Sequence, residues 1–161
     1  MRTLIYALVV IAVLFVMGAT CTQSATLCPD GSLSCAIKNF DELYKNDYDR
    51  FWSIFHLAGK EAVTCTSIQK TAAFLEVASV KKGNAEFNEY FMSVLENQLI
   101  LKNTKCFLEA MKLTSPNSRL IILNDLKNPL FADKKTIDNS LIPFIKNREY
   151  QEILKPYKVG Q

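Results

Sequence analysis

The sequence predicts an all-α fold, a compact disulfide-stabilised helical bundle of four to six helices that follows a cleaved signal peptide. Three observations lead to this prediction. The chain starts with an apolar run, four cysteines remain once residues 1–21 are removed, and apolar residues recur at intervals of three and four through the rest of the chain. Without its signal, the 161-residue chain is long enough for one domain with a substantial hydrophobic core.

The N-terminal segment has the three parts of a secretory signal peptide. Arg2 supplies a positive charge, residues 4–17 are apolar, and small residues follow them. We therefore assign residues 1–21 to the signal peptide, with cleavage possible up to residue 24, and expect a secreted, extracellular protein. A membrane anchor is the alternative, but the apolar run is shorter than the ~20 residues that a spanning helix needs. We expect no stable membrane anchor after cleavage.

The cysteines predict two disulfides. If Cys21 leaves with the signal peptide, Cys28, Cys35, Cys65 and Cys106 remain, an even number in an oxidising compartment. The Pro-Asp-Gly-Ser segment between the first two favours a turn that brings their sulfur atoms together, so that the later two pair with each other. The alternative, in which the first two cysteines pair separately with the later two, stays open.

The domain organisation follows from these assignments. Residues 22–37 form a disulfide-bearing N-terminal arm, residues 38–156 a single helical domain, and residues 157–161 a frayed C-terminal tail. No internal repeat or low-complexity linker divides the chain, and its short connections favour antiparallel neighbouring helices.

The first predicted helix starts after Asn39, a residue type that caps helix N-termini. Charged residues alternate with an apolar face that is mostly aromatic, so this face is predicted to be buried. Gly59 either ends this helix or bends it. The aromatic face consists of Phe40, Leu43, Tyr44, Tyr48, Phe51, Trp52 and Phe55.

Two further helices follow at the same period. The second spans residues 62–79 with a small, aliphatic face, and it closes at Gly83. The third has Asn84 as its predicted N-cap. It either continues to Leu113 or breaks near Asn103.

The C-terminal third contains more helix breakers. A short helix is predicted to begin near Ser118, although the run 120–123 also fits a buried strand. A last helix would tolerate Pro143 if Asn139 or Ser140 were its cap, because the proline would then lie in the first turn.

The sequence contains few of the residues and motifs that are typical of catalytic sites. His56 is the single histidine, which excludes a metal site built from several imidazoles, and the sequence contains no CxxC, HExxH or GxSxG motif and no glycine-rich phosphate loop. We expect no enzymatic activity, no metal and no cofactor. The basic and acidic residues are interspersed at a formal charge of +3, so no nucleic-acid-binding stripe is predicted either.

Two functions from different classes fit these observations. The favoured one is a non-enzymatic extracellular interaction protein, an effector, ligand or inhibitor that binds a protein partner through a helix face. The alternative is a carrier of a small apolar ligand in a cavity between the helices. Aromatic helix faces usually fill cores, which favours the first function. The aromatic residues that would line such a cavity or fill the core are Tyr44, Phe51, Trp52, Phe55, Phe87 and Phe91.

Overall fold

The computed structural model describes residues 27–81 and 83–157, and the predicted signal peptide lies outside these residues. The described part is helical without a β-strand, which confirms the all-α prediction, but its helices outnumber the four to six expected. The elements are α1 (Leu33–Lys38), α2 (Phe40–Asn46), α3 (Tyr48–Thr64), α4 (Ile68–Leu75), a 3₁₀ turn (Glu76–Ser79), α5 (Ala85–Val94), a π-helical segment (Leu95–Ile100), α6 (Leu101–Leu113), α7 (Pro116–Asp125), α8 (Lys134–Ile145) and α9 (Arg148–Leu154).

The aromatic segment predicted as one helix is divided into α2 and α3. The division falls at Asp47, whose carboxylate accepts a hydrogen bond from the Arg50 amide at 3.3 Å and so caps α3. Asn39 precedes α2 as expected, but its side chain does not cap the helix. Its amide donates instead to the Cys35 carbonyl oxygen at 3.0 Å. An aspartate that looked like part of a solvated charged face therefore starts a helix.

Gly59 neither ends nor interrupts α3, which continues to Thr64. The helix stops at Cys65, whose φ of 54° is left-handed. The reason for a glycine at position 59 is close packing, since a Cβ atom there would collide with the Tyr90 hydroxyl oxygen.

The structure pairs Cys28 with Cys35 and Cys65 with Cys106, at Cα separations of 5.5 and 6.3 Å. This is the first of the two patterns that the sequence left open. The first pair closes the turn before α1, and the Arg50 guanidinium holds this turn by donating from Nε to the Cys28 carbonyl oxygen at 3.0 Å. The second pair joins the end of α3 to α6.

The third predicted helix corresponds to three consecutive elements, α5, the π-helical segment and α6. The Asn84 side chain caps α5 as predicted by accepting a hydrogen bond from the Phe87 amide at 2.9 Å. Asn103 has non-helical angles, φ −138° and ψ 45°, at the point where a break was expected. Its amide donates to the Val63 carbonyl oxygen at 3.1 Å, which ties the irregular turn to α3.

The C-terminal third differs from its prediction in two places. The run 120–123 lies within α7, so the strand alternative is wrong. Helix α8 begins at Lys134 because Asp133 caps it by accepting from the Thr136 amide at 3.2 Å, and Pro143 consequently lies inside the helix rather than in its first turn. Tyr157, assigned to the frayed tail, is only 3% exposed.

Buried phenylalanines dominate the core. Fully buried rings come from α3, α4, α5 and α6, and the 3₁₀ turn contacts α7. Edge-to-face ring pairs join α2, α3 and α5, a geometry that suits the quadrupoles of aromatic rings. None of the helices described is long and apolar enough to cross a membrane.

Candidate functional site

The candidate site is a surface cleft of about 500 Å³ between α3, α5 and the loop before α8, which we call the aromatic cleft. It is concave, and most of its walls are aromatic rings. Two carboxylates lie among these rings. The lining residues are Tyr48, Trp52, His56, Glu86, Glu89, Tyr90, Ser93 and Phe131.

One wall of the aromatic cleft comes from α3. Tyr48, Trp52 and His56 are spaced four residues apart, so the helix places them on one face. The Trp52 ring centroid lies 6.2 Å from that of Tyr48 and 5.0 Å from that of His56. The indole is half-buried and stacks on the buried Phe87 ring at 5.8 Å. The tryptophan therefore has a rigid backing on its core side.

An adjoining wall comes from α5, where the Tyr90 ring is in edge-to-face contact with the Trp52 ring at a centroid distance of 5.5 Å. The Tyr90 hydroxyl donates to the Phe55 carbonyl oxygen at 3.0 Å, in the space that Gly59 leaves free. Burial raises the pKa of Tyr90 to about 12, so its ring stays neutral near pH 7.

Glu86, in the first turn of α5, carries a negative charge at the rim of the aromatic cleft. Its carboxylate accepts hydrogen bonds from the Tyr48 hydroxyl at 2.6 Å and the Tyr44 hydroxyl at 2.7 Å. These bonds favour the charged carboxylate and lower the pKa of Glu86 below its ordinary value. The same bonds raise the pKa values of Tyr44 and Tyr48, so both tyrosines stay neutral.

Phe131 forms the third side, and a buried carboxylate holds its backbone in place. Glu96, fully buried in the π-helical segment, accepts hydrogen bonds from the amides of Leu130, Phe131 and Ala132 at 2.8, 2.8 and 2.7 Å. Charged acceptors make the stronger hydrogen bonds, and three of them fix this loop. The Phe131 side chain is nevertheless 49% exposed. The loop thus presents a large apolar group on a rigid support.

The structure separates the six aromatic residues predicted as cavity or core lining. Phe51, Phe55, Phe87 and Phe91 are fully buried in the core. The Phe55 ring packs against the Phe51 and Phe87 rings, each with a centroid distance of 4.7 Å.

Trp52 is the member of that predicted set that lines the aromatic cleft. Tyr44 is half-buried and reaches the rim through its hydrogen bond to Glu86. The sequence prediction did not single out Glu86, Glu89 or Phe131. Glu86 and Glu89 lie near the N-terminus of a predicted helix, where carboxylates commonly complement the helix dipole, and no periodic signal marks a phenylalanine in a loop.

A second, larger cleft of about 750 Å³ lies between the 3₁₀ turn, α5 and α7, and we call it the asparagine-lined cleft. Its central charge is the buried Lys81, whose Nζ lies 2.9 Å from Asp125 Oδ2 and also donates to the Asn88 side-chain oxygen. The ammonium also lies 5.5 Å from the centre of the Phe91 ring. The remaining polar wall consists of Ser79, Asn84, Asn117 and Asn124.

Comparisons with known proteins identify no family for this chain. No protein-family model matches it, and no solved structure matches it. The chain is similar to the chaperone protein HtpG of Buchnera aphidicola subsp. Cinara cedri, with 27% identity over 128 residues that cover 74% of this chain. The aligned region spans 20% of the chaperone's length. This similarity does not establish that the chain belongs to the chaperone's family.

Proposed function

We propose that this chain is a secreted, non-enzymatic interaction protein, an effector, ligand or inhibitor that engages an extracellular partner through the aromatic cleft. The observation that carries this proposal is the pair of large rings at the cleft rim. Tyr48 is 46% exposed and Phe131 49% exposed, and both line this open cleft. Large aromatic side chains beside a pocket are the groups that contribute most to binding at protein interfaces.

The rigid support of these rings favours binding. Glu96 fixes the backbone of Phe131 through three hydrogen bonds, and Trp52 rests on a buried ring. A surface that is already ordered loses less conformational entropy when a partner binds.

The two cysteine pairs support the proposed extracellular location. Disulfides persist in oxidising compartments, and the described chain holds two cysteine pairs at bonding positions. Mass spectrometry of the protein from culture medium, before and after reduction, tests this part of the proposal. We expect a mature N-terminus after residue 21 or as late as after residue 24, and a mass gain on reduction that corresponds to two disulfides. Retention of residues 1–21 would contradict secretion through a cleaved signal.

The interaction is tested with the wild-type protein as bait in extracellular fluid from the producing organism. Phe131→Ala removes a rim ring, and Leu120→Ala serves as the matched control because Leu120 is similarly exposed, at 48%, but lies on α7. We expect Leu120→Ala to retain the captured partner and Phe131→Ala to lose it, with circular dichroism unchanged in both. Equal capture by the two variants would exclude the aromatic cleft as the partner-binding surface.

A carrier of a small apolar ligand is the second candidate function. The observation in its favour is the aromatic lining of the cleft, which is open to solvent and has a volume of about 500 Å³, within the ~300–1,000 Å³ of ligand pockets. Its ligand would contact Trp52 and Tyr90 rather than the buried phenylalanines. Titration with a fatty acid should then change the tryptophan fluorescence, and a flat response would exclude fatty-acid carriage in this cleft.

A further inference from the structure

We propose that the aromatic cleft is a binding site for a small organic ammonium ion, an amine carried on an aromatic or alkyl body. This inference rests on the proposed function in one respect, that the aromatic cleft is the recognition site. It adds the chemical class of the ligand, which follows from the charge, the ring faces and the volume of the cleft.

The charge of the cleft favours a cation. Its eight described lining residues include two glutamates and neither lysine nor arginine, in a chain whose formal charge is +3. Each oxygen of Glu86 accepts one phenol hydrogen, and a carboxylate oxygen has room for a second donor. Glu89 makes no ion pair with any residue that the structure describes. Both carboxylates are therefore available to the N–H groups of a bound ammonium.

The aromatic walls favour an organic cation in particular. The faces of aromatic rings are electron-rich and attract ammonium groups that lie within ~6 Å of the ring centroid, and tryptophan is the strongest of these rings. The Trp52 and Tyr90 rings meet edge-to-face with their centroids 5.5 Å apart, and both line the cleft, so an ammonium over the face of either ring lies close to this pair. The apolar body of the ligand can then pack against Phe131, which also lines the cleft.

The ligands and the volume that the cleft offers favour a small molecule over a bare metal ion. A calcium ion takes six to eight oxygen ligands, and the lining offers two carboxylates among rings. A cleft of about 500 Å³ holds an aromatic ring together with its ammonium arm. A lysine side chain of a protein partner supplies the same charge but fills less of this space.

The single tryptophan of the chain is Trp52, so selectively excited tryptophan fluorescence reports on this cleft. Phenethylamine is the cationic probe, with 2-phenylethanol as the neutral analogue and 3-phenylpropionate as the anionic one. We expect a saturable fluorescence change with phenethylamine and about tenfold weaker binding of both analogues. Calorimetry of the same titrations detects binding that leaves the fluorescence unchanged.

Substitution of the two cleft glutamates tests whether their negative charges bind the ammonium group. Glu86→Gln/Glu89→Gln is expected to weaken phenethylamine binding about tenfold and to leave 2-phenylethanol binding unchanged. Glu152→Gln on α9 is the matched control, because this side chain is 84% exposed and lies outside the cleft lining. We expect it to bind phenethylamine like the wild type.

Three outcomes would overturn the ammonium site: no saturable signal with phenethylamine by either method, equal affinity for the amine and the alcohol, or equal weakening by Glu152→Gln. A lysine-containing peptide that binds more tightly than phenethylamine would also overturn it, in favour of a protein side chain as the occupant. The partner-capture experiment with Phe131→Ala tests the proposed function separately. If partner capture still depends on Phe131 but no amine binds, the ammonium ligand is rejected and the proposed function stands.

Discussion

The aromatic cleft and the asparagine-lined cleft lie on different faces of the same helix and differ in how their polar groups are used. Helix α5 contributes Glu86 and Glu89 to the first and Asn88 to the second. In the larger, asparagine-lined cleft, Lys81 already has a carboxylate and an amide as partners. In the aromatic cleft, Glu89 has no ionic partner among the described residues, and the Tyr48 and Phe131 side chains are about half exposed. Unused bonding capacity, rather than volume, therefore distinguishes the better candidate site.

The difference has a packing cause. Lys81 is buried, and a buried charge is costly unless it is paired, so its partners belong to the fold itself. The carboxylates of the aromatic cleft are exposed and remain solvated, so the fold does not require cations beside them. Four substitutions test this comparison, in order of decreasing effect.

The Glu96→Ala substitution should have the largest effect on stability, because it removes the acceptor of three backbone amides at the edge of the aromatic cleft. We expect a loss of about 3 kcal/mol in the free energy of unfolding, measured by urea denaturation. Glu89→Ala is the control, an exposed carboxylate whose removal should change stability by less than about 0.5 kcal/mol. Similar losses for both variants would mean that Glu96 does not hold the loop.

Breaking the central ion pair of the asparagine-lined cleft should be the second-largest effect. Lys81→Met leaves the Asp125 carboxylate without its cationic partner, and we expect a loss of about 2 kcal/mol. Lys70→Met is the matched control, since its pair with Glu61 is exposed on both sides and should contribute less than about 1 kcal/mol. Thermal unfolding of the two variants gives the comparison. Equal stability losses for Lys81→Met and Lys70→Met would mean that the buried ion pair contributes no more than the exposed one.

The Gly59→Ala substitution should separate the geometry of the aromatic cleft from global stability. The new methyl group displaces the Tyr90 hydroxyl, and loss of its hydrogen bond costs about 1 kcal/mol. Alanine regains about 1 kcal/mol of helix propensity over glycine, so the net change in stability should be small. The displaced ring should change the Trp52 emission, whereas Ser53→Ala on the same helix should not. An unchanged emission spectrum in Gly59→Ala would contradict the close packing of Tyr90.

The smallest expected effect concerns the rim carboxylate. The Tyr48 hydrogen bond lowers the pKa of Glu86, so Tyr48→Phe should raise that pKa towards the ordinary value of 4.5. A carboxylate with a lowered pKa stabilises the fold above pH 4.5, and this contribution is lost as the pH falls through the folded-state pKa. Tyr48→Phe should therefore reduce the pH dependence of stability in the window below pH 4.5. Titration of the carboxyl resonance by NMR measures the shift, and an unchanged pKa would show that the phenol does not act on Glu86.

Local signals in the sequence predicted much of the helical framework. Asn84 caps α5 because a short polar side chain can accept from the third amide of a helix, a property visible in the sequence alone. The alternation of apolar and polar residues likewise identified the buried faces of Phe51, Phe55 and Phe87.

The misassigned boundaries have a common physical reason. Asp47 and Asp133 are caps, but aspartate is equally common on solvated helix faces, and local spacing cannot distinguish the two roles. Pro143 was placed in a first turn because a proline inside a helix is costly. The tertiary structure accommodates it in the interior of α8.

Residue type and spacing in the sequence were sufficient to predict the all-α class, the apolar helix faces and the scarcity of catalytic motifs. The division of the aromatic residues into a buried set and a cleft-lining set followed from the tertiary structure. Phe131 and Glu96 are far apart in the chain, and hydrogen bonds between them are made only when the loop before α8 packs on the π-helical segment. Contacts of this kind depend on the folded arrangement of distant elements, which no local pattern encodes.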